Sequence, residues 1–176
     1  MTGVCQRHAR QRLSGFTLLE LLVVCALVGV LATLALGRLW SLQQEVEEAM
    51  AEQVIGALKN GVRIRAAELI NASRWEEFRD LPKRNPFDWL EEQPGNYRGE
   101  LKGSVEAGNW YFDKTTGATI YYVKRADDFR SVEGSSVMRF FVVGLDSSGH
   151  SLNKPPFSWV GVRPQAEYVW QGRVLR

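Results

Sequence analysis

The sequence predicts an α+β fold in which a long N-terminal helix, half membrane-spanning and half amphipathic, packs on a small antiparallel sheet. Three observations predict it. Residues 16–37 form an apolar run broken by one charge, Glu20. The apolar pattern then persists at three- and four-residue steps as far as Leu69, which is the helical period. Beyond residue 108, short aromatic and β-branched stretches alternate with turn residues, the signature of strands. With 176 residues, the chain holds one globular unit plus an appendage.

The elements follow in order. Residues 1–15 hold Arg7, Arg10 and Arg12 and no acid, a basic leader. The 22 residues 16–37 contain no proline. As a helix at ~1.5 Å per residue they reach roughly 33 Å, enough to cross a hydrocarbon core of about 30 Å. Arginines precede the run, and Glu45, Glu47 and Glu48 follow it. The positive-inside rule then puts the N-terminus in the cytoplasm and the bulk of the chain on the far side. Trp40 falls where an interfacial aromatic belongs. An ordinary secretory signal fits poorly, because the run is too long and lacks a small-x-small cleavage site at its far end. A plain signal anchor leaves Glu20 unexplained. An acid at mid-bilayer depth costs about 2.5–3.5 kcal/mol, somewhat less near an interface, and acids there are functional suspects by default. This carboxylate needs a partner.

Ser14-Gly15-Phe16-Thr17-Leu18-Leu19-Glu20, followed by Leu21, Leu22, Val23 and Val24, resembles the processing and assembly motif of type IV prepilins and type II secretion pseudopilins. The resemblance implies a pilin-like fold. It also implies a cut by a membrane aspartyl protease, the prepilin peptidase, between Gly15 and Phe16, with N-methylation of the new terminus at Phe16. Residues 1–15 are then the leader, 16–37 the transmembrane and filament-core helix, and 38–176 a periplasmic domain. Glu20 becomes the fifth residue of the mature chain. The freed Phe16 amine is a cation, and on a helix it shares a face with Glu20 at i, i+4 spacing. In a filament of this family the glutamate pairs with the amine of a neighbouring subunit. The resemblance is close over residues 7–40 and architectural beyond.

After Gly37, residues Leu39, Leu42, Val46, Met50, Val54, Leu58, Val62, Ala66 and Leu69 give one apolar stripe, which the sheet is expected to cover. Gly56 and Gly61 weaken the helix locally and allow a bend. A break is expected near Asn71. Ser73-Arg74-Trp75-Glu76 has the form of a capping box opening a second helix that ends before Pro82. Asn85-Pro86 reads as an N-cap followed by a proline at the first helical position. Asn71-Ala72-Ser73 also matches a glycosylation sequon, a short pattern of little weight. Strands are expected at 109–113 and 119–124 around a loop with Gly117 left-handed, and at 136–145 after a connection through 127–134. A turn at 146–149 follows, with short strands at 157–162 and 167–170 limited by Pro155, Pro156 and Pro164.

Composition excludes several function classes. Setting aside Arg7, Arg10, Arg12 and Glu20 leaves 19 basic and 19 acidic residues, so the domain carries no electrostatic footprint for nucleic acid. The cysteines are Cys5, in the leader, and Cys25, in the apolar run, so no disulfide can staple the domain. His8 and His150 are the two histidines, which leaves neither zinc-ligand spacing nor a histidine-based triad. Gly149-His150-Ser151 does not complete a nucleophile elbow, and no phosphate-cradling glycine loop occurs. Asp127-Asp128 reads as a solvated turn rather than a general acid and base. The aromatics at 110–112 and 121–122 read as core. Some pseudopilins bind calcium in a loop after the last strands, where Asp146-Ser147-Ser148-Gly149 lies, but oxygen ligands are sparse and a simple turn is the expectation.

The expected function is structural, with no catalytic residues, metal or cofactor. It is that of a subunit of a type IV pilus or type II secretion pseudopilus, minor or accessory. Expected partners are other pilin-like subunits, the prepilin peptidase, the inner-membrane assembly platform and inner-membrane lipid. The alternative is a membrane-tethered periplasmic binding or sensor domain that does not polymerise. Cleavage at Gly15 and a requirement for Glu20 separate the two, because a mere tether needs neither.

Overall fold

The computed structural model describes residues 17–127, 129–132, 134–152 and 155–175. The chain divides between residues 43 and 44 into two compact units. One helix, α1 (Leu18–Asn71), belongs to both. In the first unit every described side chain from Thr17 to Leu39 is exposed. The helix is long and apolar enough there to cross a membrane. An apolar surface of this extent is unfavourable in water and calls for lipid or other helices around it. Thr33 returns its hydroxyl to the Val30 carbonyl at 2.7 Å, so this polar group is satisfied within the helix.

The second unit packs the C-terminal part of α1 against sheet. Ala51, Val54, Ile55, Leu58, Val62, Ala66 and Leu69 are buried and join one core with Trp110, Tyr121, Met138, Phe140, Val160 and Trp170. Fully burying a side chain of this size contributes about 1.5–3 kcal/mol. The expected stripe is half right. Val46 and Met50 remain half-exposed, as do Leu39 and Leu42 in the first unit. At this level the helix buries Glu47 and Glu48 instead. Gly61 is no bend point. The helix runs unbroken through it, and a Cβ there would meet Leu90 Cδ2 at 3.1 Å and the Trp89 carbonyl at 3.3 Å. Its bareness admits the following segment.

The capping box at Ser73 does not form. Ser73 has φ +56° and closes α1 instead: its N–H donates to Ile70 O at 3.0 Å and the Arg74 N–H to Leu69 O at 2.9 Å. Those two bonds are a Schellman motif, which requires a left-handed residue at this position. The second helix, α2 (Trp75–Asp80), therefore starts without a side-chain cap. A 3-10 turn at Leu81–Lys83 carries Pro82 at its start. In the next, Pro86–Trp89, Asn85 is the N-cap, its side chain accepting from Phe87 N.

Among the described residues nine strands follow, and they form the small, mostly antiparallel sheet expected together with a second sheet that was not. They are β1 (Tyr97–Glu100), β2 (Trp110–Asp113), β3 (Ala118–Tyr122), β4 (Phe129–Ser131), β5 (Val137–Leu145), β6 (Ser151–Leu152), β7 (Trp159–Pro164), β8 (Tyr168–Trp170) and β9 (Arg173–Leu175). The larger sheet runs β1-β2-β3-β5-β6 with β7 also on β5. It is antiparallel except for the parallel β1–β2 pair. The turn from β2 to β3 has Gly117 at φ +74°, as expected. The connection at 127–134 contains β4, which joins β8 and β9 in a second, three-stranded antiparallel sheet. Tyr168 ties the sheets together, its hydroxyl accepting from Arg139 N at 2.8 Å. β7 has the six residues expected but lies two positions later than 157–162, and Pro164 ends it in register with Phe140. Trp110, Tyr121, Phe140 and Trp170 meet ring to ring at 4.8–6.5 Å between centroids; of the aromatics expected in the core, Trp110, Tyr111, Phe112 and Tyr121 are buried and Tyr122 is half-buried.

Candidate functional site: the N-terminal segment of the long helix

Gly15 and Phe16 lie outside the described residues, as do the leader, Cys5 and His8. Glu20 is described. It stands in the first turn of α1, exposed. Thr17 precedes the helix, and its hydroxyl accepts from the Glu20 N–H at 3.2 Å while its carbonyl accepts from the Leu21 N–H at 3.1 Å. Thr17 is therefore the N-cap, and Thr17-Leu18-Leu19-Glu20 has the T-x-x-E spacing of a capping box. The cap satisfies a donor that lipid cannot. A carboxylate in the first turn also meets the positive end of the helix dipole. The T-x-x-E spacing in the sequence is the signal that marks Thr17 as this cap.

The geometry leaves a helix with an apolar surface, a capped start and one acid in its first turn. Cys25 is a free, exposed thiol on the same run. Such a segment can lie in a bilayer or pack among like helices. In an apolar setting its acid demands a cation.

A second carboxylate, Glu47, does a different task. It is buried, and Oε1 accepts from the Tyr121 hydroxyl at 3.0 Å and the Lys124 N–H at 2.7 Å. Its Oε2 accepts from the Arg125 N–H at 3.1 Å. Glu47 thus fastens α1 to the end of β3. Burial and the Glu47 charge push the Tyr121 phenol well above its ordinary range, so it remains a neutral donor. Beside it, burial raises the Glu48 carboxyl, partly offset by the Arg173 guanidinium. Sequence reasoning missed Glu47, since its partners lie 74 or more residues away and no local pattern announces them.

The turn at Asp146 spends its carboxylate on its own backbone. Oδ1 accepts from Ser148 N and His150 N, both at 2.8 Å. The bond from His150 leads in holding this carboxyl below its usual range.

The fold and the segment define a class: an α+β protein built on a helix whose N-terminal part is apolar, exposed and acid-bearing. The family model for the prokaryotic N-terminal methylation motif matches residues 10–36, and this motif is the hallmark of type IV prepilin-like and pseudopilin proteins. The N-terminal segment of the chain is thus similar to that of prepilin-like proteins. The motif implies processing by prepilin peptidase and assembly with pilin-like subunits. No curated protein and no solved structure matches the chain.

Proposed function

We propose that this protein is a non-catalytic structural subunit, of the minor or accessory kind, of a type IV pilus or type II secretion pseudopilus. It waits in the bacterial inner membrane as a single-pass precursor with its leader in the cytoplasm and residues 38–176 in the periplasm. The peptidase cuts between Gly15 and Phe16, Phe16 is N-methylated, and the assembly platform lifts the subunit into a filament. The apolar helix then exchanges lipid for neighbouring helices, and Glu20 takes the Phe16 amine of a neighbour as its cation. The observation that carries this reading is the match to the methylation motif at residues 10–36 around a lone acid in an exposed apolar helix. Mass spectrometry of the chain extracted from membranes of its native cells tests it. The expected species begins at an N-methylated Phe16. A chain still beginning at Met1 in cells that hold the peptidase favours the tethered, non-polymerising alternative.

A further inference from the structure

Glu47 and Glu48 are consecutive on α1, and both are buried, Glu48 to 3% exposure. Their surroundings differ. Glu47 holds the Tyr121 hydroxyl and the Lys124 and Arg125 backbone N–H groups. Glu48 Oε1 finds no hydrogen-bond partner among the described residues. A buried carboxylate without donors costs far more than the neutral acid, so such a group gives up its charge. The charges nearby do not repair this. Burial is the largest influence and raises the Glu48 carboxyl, while Arg173 on β9 works against it. Glu52 and Glu45, one turn to either side on α1, add to the rise. Arg173 is itself exposed, so water screens its charge. Tyr121 on β3 is a neutral donor already committed to Glu47. Asp127 reaches Gln44, one turn before Glu48, at 3.3 Å and brings a further negative charge. Arg173 lies in register with Trp170, which is buried in the core that α1 shares, so the β8–β9 hairpin flanks this turn of the helix.

We propose that Glu48 is a proton-sensitive latch between α1 and the β8–β9 hairpin, seated as the neutral acid and driven toward solvent when it ionises. Glu47, whose charge has its donors, keeps the helix fastened to β3 throughout. The sign follows from linkage. Between the ordinary carboxylate range and the raised one, the folded chain holds a proton that the unfolded chain has released. Stability contributed at this site therefore falls as pH rises through that interval. The inference concerns the domain alone and does not depend on the subunit reading.

Carbon-13 NMR of the detergent-solubilised full chain, labelled in its glutamate carboxyls, reads the titration directly. The Glu48 resonance, identified by its loss in E48Q, is expected to titrate at higher pH than that of the exposed Glu45. R173Q should move it higher still. Denaturant melts followed by tryptophan fluorescence from about pH 5 to about pH 8 give the effect on stability. The parent should lose more stability across that range than E48Q, whose amide resembles the neutral acid, and E48Q should be the more stable at the upper end. E45Q, which removes an exposed acid from the same helix, should keep most of the parent's slope. A Glu48 resonance that titrates with Glu45 or below it overturns the latch, as does one that R173Q leaves unmoved. Parallel slopes for the parent and E48Q overturn it too. If E48Q does not fold, the shift caused by R173Q identifies the resonance, and its titration in the parent still decides.

Discussion

Glu20 and Glu47 sit on one helix, and their surroundings give them opposite tasks. Glu47 has three donors within its own domain at 2.7–3.1 Å, so its charge is settled on folding. Glu20 receives its ordered start from Thr17 and its carboxylate is exposed, which under the proposed subunit reading leaves it for a partner outside the chain. Glu20→Ala should therefore insert in the membrane as well as the unaltered protein and yet be lost from sheared filaments, judged by blotting. Removing one partner of a buried ion pair costs about 3–5 kcal/mol, enough to empty the assembled state of this variant. Normal incorporation would mean that the Phe16 amine does not depend on this acid. Glu47→Ala should act on the domain alone. It strands the Tyr121 hydroxyl and two backbone N–H groups, a loss of about 3 kcal/mol, whereas Tyr121→Phe, which removes one donor, should cost about 1 kcal/mol. Denaturant melts of the detergent-solubilised chain followed by tryptophan fluorescence would report both. Equal midpoints for Glu47→Ala and the parent would rule out the clamp.

At the scale of elements, local signals read well where one backbone stretch decides the outcome. The length of α1, the Asn85 cap, the left-handed Gly117 and strands β2, β3 and β5 all follow from period or turn chemistry. Signals failed where two elements competed for one residue. Ser73 is a good N-cap for α2, but α1 needs a left-handed residue to close, and satisfying the end of a long, well-packed helix outweighs starting a six-residue one. Ser73→Gly should therefore raise stability by about 0.5–1 kcal/mol, since glycine adopts φ +56° without the Cβ penalty. A destabilised Ser73→Gly in the same melts would show that the serine side chain matters after all. The short strands β1, β4, β6 and β9 carried no legible signal. Each is four residues or fewer and exists because a partner strand satisfies it. The same non-locality hid Glu47, while Glu20 was legible because a lone acid in an apolar run stands out without any partner in view.

For the whole molecule, the proposed subunit reading raises the question of how many copies a filament would hold. The chain has cysteines only at Cys5 and Cys25, so the domain lacks the C-terminal disulfide loop common in the major type IV pilins its N-terminus resembles. The 71–108 segment contributes Trp89 and Tyr97 to the packing around the core, with Tyr97 stacked on Phe87 at 3.8 Å. It leaves Trp75 half-exposed at 50%. The exposed part of α1 adds Val46, Met50 and Ile64. An apolar helix flank and a half-exposed tryptophan are distinct surfaces at distinct places. A repeating lattice needs one surface that complements another on the same chain, whereas a subunit placed once among unlike neighbours is free to differ on every side. The expectation is that quantitative mass spectrometry of purified sheared filaments finds this chain as a small minority of the subunit mass. Finding that it makes up most of the filament would identify it as the major subunit.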